Sequence, residues 1–119
     1  MYEFLKTSIP GLFTSKYVEA NAGKIRALVE QGRAFTPEAL VQYYEAMIAR
    51  PDRTAVLRSF PGTIMFIIGE HDTAVPLTAS LKQCHLPLRP QIHLLQQSAH
   101  MGMLEETTKA NELLLSFLQ

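Results

Sequence analysis

The stretch TIMFIIGEHD, residues 63–72, decides the fold. Its first six residues are β-branched or large and apolar, without the alternation of a half-buried strand. An uninterrupted run of this kind is typical of a strand in a parallel sheet, which is covered on both faces. Polar residues follow at once, and ligands bind just beyond the carboxyl ends of strands in open α/β sheets. The stretch therefore predicts an α/β fold with candidate functional residues directly after a buried strand.

The rest of the second half alternates between helix and strand. A helix is predicted over 77–84 and a second strand over 91–96, with prolines at the boundaries. A loop over 98–102 precedes a last helix over 103–118, whose apolar residues recur at helical spacing. Strand, helix and strand in this order imply a right-handed parallel crossover. Residues 61–119 are therefore predicted to form strand, helix, strand and helix, although two parallel strands alone cannot bury their faces and edges.

The first sixty residues have helical periodicity instead. One helix is predicted over 15–30, where apolar residues recur at steps of three or four. A second begins at Pro37 with Thr36 as its cap, and it ends at Arg50, which precedes a proline and so disfavours helical backbone. Asp52 is predicted to cap a third, short helix. The sequence up to residue 60 is therefore interpreted as a helical segment.

Composition excludes several classes of protein. The 119 residues include 11 basic and 11 acidic side chains, so the formal net charge is zero, and Cys84 is the one cysteine. Balanced charge without a basic cluster excludes a positively charged surface that would bind nucleic acid or an anionic membrane. No apolar run is long enough to span a bilayer. A single cysteine cannot form an internal disulfide. With no signal-peptide pattern at the N-terminus, we expect a cytoplasmic protein.

Two residues that can carry chemistry follow the two predicted strands. Asp72 comes after the first strand and His100 after the second. Because neighbouring parallel strands end at the same edge of a sheet, we expect both side chains on one rim. A carboxylate that accepts the imidazole Nδ1–H fixes the tautomer, and it stabilises the imidazolium that forms when Nε2 takes a proton. Asp72 and His100 are therefore the candidate acid and base.

Residues 61–118 resemble the C-terminal part of an α/β-hydrolase. The motifs that carry the resemblance are IMFIIGEHD (64–72), Val75-Pro76, His100-Met101, MLE (103–105) and the closing SFL (116–118). In that family an aspartate at the position of Asp72 and a histidine at the position of His100 are the acid and base of the catalytic triad, and their order in this chain agrees. The resemblance implies a partial parallel sheet of an α/β-hydrolase over 61–119, preceded by a helical cap-like segment over 1–60.

The chain departs from the family at the nucleophile. No two of its six glycines bracket a Ser, Cys or Asp as in the Gly-x-Ser-x-Gly elbow. The resemblance therefore implies that the complete enzyme hydrolyses an ester or a related bond of a small-molecule substrate, and that this chain alone has little or no activity. The alternative is a non-catalytic interaction or structural fragment. The candidate partners are a second copy, giving a homodimer, and a complementing N-terminal half that carries the nucleophile.

Other candidate residues have structural interpretations. Glu70 is a rival acid, but in an extended segment it points to the face opposite His71 and towards solvent. His71, Asp72 and His100 have no recognisable metal-ligand spacing, so neither a metal nor a cofactor is predicted. Ser98 does not lie on an elbow and is interpreted as a loop hydroxyl.

Overall fold

The computed structural model describes all 119 residues, as eight α-helices and one two-stranded sheet. In chain order the elements are α1 Tyr2–Ser8, α2 Ser15–Ala20, α3 Ala22–Gln31, α4 Pro37–Ala49, α5 Thr54–Ser59, β1 Ile64–Gly69, α6 Leu77–Cys84, β2 Pro90–Leu95, α7 Gly102–Glu105 and α8 Thr107–Leu118. Short 3₁₀ helices lie at Pro10–Leu12 and Gly32–Ala34. No helix combines the length and hydrophobicity needed to cross a membrane.

The chain divides into two compact units. The helical unit comprises Met1–Gly11 and Ser15–Asp52, and the sheet unit comprises Leu12–Thr14 and Arg53–Gln119. The main boundary therefore lies upstream of the change in sequence character near residue 60. Residues 12–14, which fall within the predicted cap-like segment over 1–60, belong with the sheet.

In the helical unit, α3 packs against α1 and α2. Its buried residues are Ile25 and Val29, which lie on the apolar stripe of the predicted helix. The prediction of one helix over 15–30 is wrong, because the helix breaks at Asn21. The backbone there has φ −129° and ψ 34°, and the Asn21 side-chain amide donates to the Tyr17 carbonyl at 3.0 Å. Asparagine side chains bond locally to the backbone in this way, at the expense of helical geometry.

Helix α4 begins and ends as predicted. The Thr36 hydroxyl oxygen accepts the Ala39 N–H at 3.1 Å, and Pro37 occupies the first turn. The predicted cap of the next helix is wrong, because Arg53 and not Asp52 is the cap residue of α5. The Arg53 backbone lies outside the helical region, with φ −120° and ψ 18°.

The sheet unit confirms the predicted α/β class. Strands β1 and β2 are parallel neighbours, and α6 crosses between them within the bounds that the sequence predicts. Strand β2 begins and ends one residue earlier than predicted. The core of this unit includes Ile68, Leu95, Ala99 and Ala110, all buried. The remaining residues of β1 are half-buried, so the coverage of both faces that the sequence predicts is not reached within this chain.

The last helix is broken where one helix over 103–118 was predicted. At Glu106, between α7 and α8, the backbone has φ −130° and ψ 56°. The Glu106 carboxylate accepts the Ser98 hydroxyl at 2.6 Å and the Gln97 N–H at 3.0 Å. The prediction of a continuous helix is wrong because it considered apolar spacing alone. It could not include these hydrogen bonds to the loop after β2.

Candidate active site

Asp72 and His100 meet at the carboxyl ends of the two strands. The register pairs Gly69 with Leu95, so β1 and β2 end level with each other. His100 Nδ1 lies 2.9 Å from Asp72 Oδ2. The Asp72 side chain is 11% exposed and that of His100 is 39% exposed. The structure therefore brings together the two candidate residues, on one rim of the sheet.

The Asp72 carboxylate is oriented by the turn that it begins. Its Oδ1 accepts the N–H groups of Ala74 and Val75, both at 2.9 Å. An aspartate that bonds to backbone amides two and three residues ahead forms a common local turn. Because Oδ1 is occupied in this way, Oδ2 faces His100. The same residue thus builds the turn and orients the imidazole.

The backbone around His100 is held by residues far away in sequence. The His100 N–H donates to the Leu12 carbonyl at 3.0 Å. The preceding N–H, that of Ala99, donates to Glu105 Oε2 at 2.8 Å, while Glu105 Oε1 accepts the Thr14 N–H at 2.7 Å. We call residues 12–14 the strap. Sequence reasoning missed the strap and gave Glu105 no role beyond its place in the MLE motif, because no local pattern links residues separated by 91 positions.

Gly69 allows the two loops of the site to approach closely. A Cβ at this position would overlap the carbonyl oxygen of Ala99, and it would lie 2.8 Å from that carbonyl carbon and 3.0 Å from the Ser98 oxygen. The Gly69 φ is not positive, so space and not backbone freedom requires glycine here. The next two amides, of Glu70 and His71, donate to carbonyls of β2 and of its loop at 3.0 and 2.9 Å. The loops are therefore joined backbone to backbone.

A cavity of about 390 Å³ adjoins the pair. Its lining includes Asp72 and His100, several apolar side chains such as Ile68 and Met103, and Ser80 of α6. This volume is within the usual range for small organic ligands, about 300–1,000 Å³. With Nδ1 turned to Asp72, the Nε2 of His100 is the nitrogen that can exchange a proton with a ligand. Sequence analysis did not single out Ser80, which lies inside a helix and not on a strand-to-helix turn.

The other sequence candidates have structural contacts. Glu70 is exposed. His71 Nε2 lies 3.0 Å from the Gln96 carbonyl, so this imidazole bonds to the backbone of the neighbouring loop. Ser98 lies in the loop after β2, where it is fully buried and its hydroxyl donates to Glu106. No three His, Cys, Asp or Glu side chains are grouped so as to hold a metal ion.

Solved structures resemble this chain, whereas no protein-family model and no curated protein matches it. An esterase from Thermogutta terrifontis matches 98% of the chain with a TM-score of 0.87 and 16% identity. An enol-lactonase from Burkholderia xenovorans LB400 matches 99% with a TM-score of 0.89 and 18% identity. A meta-cleavage product hydrolase from Pseudomonas fluorescens IP01 matches 99% with a TM-score of 0.75 and 20% identity.

The chain spans less than half the length of each of these structures, namely 43%, 45% and 45%. The matches fit the C-terminal part of the α/β-hydrolase fold. The fold that the sequence resemblance implied is therefore confirmed: this chain has the architecture of the C-terminal part of an α/β-hydrolase.

Proposed function

We propose that this chain supplies the acid and the base of a hydrolase that cleaves an ester or a related small-molecule bond. Asp72 is the acid and His100 the base. The nucleophile comes from outside these 119 residues, and the chain alone is inactive. The observation that carries the proposal is the 2.9 Å contact between His100 Nδ1 and Asp72 Oδ2 beside a cavity of ligand size.

The chemistry follows from the orientation of the imidazole. Asp72 accepts the Nδ1–H and leaves the lone pair of Nε2 for a proton. As the nucleophile attacks the substrate carbonyl, its hydroxyl proton passes to Nε2 of His100. When the bond to the leaving group breaks, Nε2 returns this proton to the leaving oxygen. A water molecule then repeats both steps on the acyl intermediate, so no cofactor is needed.

The solved structures support the substrate class. One is named an esterase and another an enol-lactonase, and both names refer to acyl–oxygen bonds. Their identities to this chain are 16% and 18%, so the class of bond and not a particular substrate is transferred. The mainly apolar lining of the cavity beside His100 is consistent with a small organic ester.

A second candidate is a non-catalytic role in which the chain forms a homodimer or docks on another chain. Large apolar side chains are exposed in both units, with Ile48 at 83%, Leu88 at 73% and Leu118 at 79%. Strands β1 and β2 each have one unpaired edge. Exposed apolar surface and open strand edges favour association. Sedimentation or size-exclusion measurements test this candidate, and a well-behaved monomer would count against it.

The experiment begins with the native gene product, sized by blot and intact mass. If the product is longer, the whole protein is assayed with a p-nitrophenyl ester; otherwise the chain is assayed with candidate complementing N-terminal halves. We expect His100→Ala and Asp72→Asn to lower kcat by about 10³-fold or more. His85→Ala, an exposed histidine at the end of α6, is the matched control and should leave the rate unchanged.

Two results would contradict the proposal. Full activity in His100→Ala would remove the base from the mechanism. A rate from this chain alone that is lost in Ser80→Ala would place the nucleophile inside the chain, since Ser80 is the hydroxyl that lines the cavity beside His100.

A further inference from the structure

Glu105 lies outside the Asp72–His100 pair, yet its carboxylate joins two distant segments beside it. Oε1 accepts the Thr14 N–H at 2.7 Å and Oε2 accepts the Ala99 N–H at 2.8 Å. Bonds from neutral amides to a carboxylate are shorter and stronger than those between neutral groups. The geometry points to Glu105 as a positioning residue for His100, an inference that rests on the proposed function of the pair.

The strap completes a closed set of hydrogen bonds around His100. Glu105 holds the strap at Thr14, and the strap carbonyl of Leu12 accepts the His100 N–H at 3.0 Å. Between these two contacts, Phe13 is buried, with 6% of its surface exposed. The N–H groups of Ala99 and His100 are therefore both fixed through Glu105, the first directly and the second through the strap.

This support is needed because packing alone does not hold the imidazole. The His100 side chain is 39% exposed, so much of its ring has no protein neighbour. Its position depends on the Asp72 carboxylate and on its own backbone. If the backbone is released, the ring depends more heavily on its 2.9 Å contact with Asp72.

Glu106 does not duplicate this role. Its carboxylate binds the Gln97 N–H and the Ser98 hydroxyl, which lie at the start of the loop. Glu105 instead links the residue before His100 directly to the strap. Substitution at Glu105 therefore releases the histidine, whereas the Glu106 bonds keep the loop attached to α8.

Three variants separate positioning from folding. Glu105→Ala removes both acceptors, and Glu105→Gln keeps the size but turns an NH₂ group towards one of the two amides. Glu112→Gln is the control, because it removes the same charge from an exposed position of α8. The readout is the Nδ1–H resonance of His100 in the ¹⁵N-histidine-labelled chain, measured with far-UV circular dichroism and a urea unfolding curve.

We expect the wild type and Glu112→Gln to show the same downfield Nδ1–H signal. In Glu105→Ala the Nδ1–H proton should exchange with water at least tenfold faster than in the wild type, or its signal should vanish. In Glu105→Gln the exchange rate should lie between those of the wild type and Glu105→Ala. A merely structural role would shift the urea midpoint and leave this signal unchanged where the chain is fully folded. A folded Glu105→Ala with the wild-type signal would overturn the inference.

If both Glu105 variants fail to fold, amide hydrogen exchange in the wild type tests the inference. The amides of Thr14 and Ala99 should exchange at least tenfold more slowly than that of exposed Thr73, which donates no hydrogen bond. Equal rates would overturn the inference. These readouts do not depend on activity. A failure of the Glu105 inference can therefore be told apart from a failure of the proposed function, which would appear as full activity of His100→Ala in the complete enzyme.

Discussion

Replacing Gly69 by alanine tests how closely the two loops of the candidate site must approach. The added Cβ would overlap the Ala99 carbonyl oxygen and lie 2.8 Å from its carbon, whereas ordinary contacts begin at 3.4 Å. These atoms belong to the backbone, so they cannot turn aside as the end of a side chain can. The overlapping carbonyl oxygen is the nearest atom and sets the displacement, so the loop that carries Ala99 must move away by about 1 Å or more.

This movement has consequences for stability and for the pair. Overpacking of a packed site costs about 1–3 kcal/mol, and we expect the free energy of unfolding to fall by that amount. His100 follows Ala99 directly, so its 2.9 Å contact with Asp72 should lengthen towards the limit of a hydrogen bond. If the pair acts as proposed, a misplacement of about 1 Å lowers the rate by about 10²-fold.

Urea unfolding followed by circular dichroism gives the stability, and the His100 Nδ1–H resonance reports on the pair. Gly11→Ala is the matched control, because no atom lies within 4 Å of the added Cβ. Neither glycine has a positive φ, so alanine is compatible with the backbone at both positions. A Gly69→Ala protein with wild-type stability and a wild-type Nδ1–H signal would refute the steric reasoning.

Three further predictions concern other parts of the chain. Gly23→Ala should raise the free energy of unfolding by about 0.5–1 kcal/mol in urea titrations, because Gly23 lies in α3 and an added Cβ meets only the end of Arg26. Thr36→Ala should lower the stability of α4 by about 1 kcal/mol, seen as lost helical ellipticity, because the Ala39 N–H loses its acceptor. Burial raises the pKa of the Cys84 thiol, so the thiolate forms at higher pH than in the unfolded chain, and a disulfide reagent should react slowly at pH 8 until urea is added.

Elements with strong local signals could be predicted from the sequence. The apolar run before Gly69 specifies β1, and the capping threonine with Pro37 specifies the start of α4, because each signal acts within a few residues. The order of strands then placed Asp72 and His100 on one rim. Their placement on one rim follows from the parallel register of the two strands, whereas the 2.9 Å contact also involves the turn after β1 and the bonds that hold the backbone of His100.

Features that depend on distant partners could not be predicted. The break between α7 and α8 at Glu106 follows from the hydrogen bonds of Glu106 to Gln97 and Ser98. The spacing of apolar residues does not indicate such bonds. The strap is a clearer case, since Thr14 meets Glu105 across 91 positions. Such contacts form only once the sheet and the helices have packed together. A single sequence does not identify which carboxylate accepts a hydrogen bond from which backbone amide.

The apolar character of β1 connects the stability of this chain to its proposed function. In β1 only Ile68 is buried, although the sequence of the strand is suited to coverage on both faces. If a complementing N-terminal half supplies the nucleophile, that part covers this surface and also brings the nucleophile to His100. Thermal stability and ester hydrolysis should then rise together as that part is titrated, with the same midpoint concentration. A complement that stabilises the chain without any rate would favour docking alone, and a rate that appears without stabilisation would refute the link between the covered sheet and the completed site.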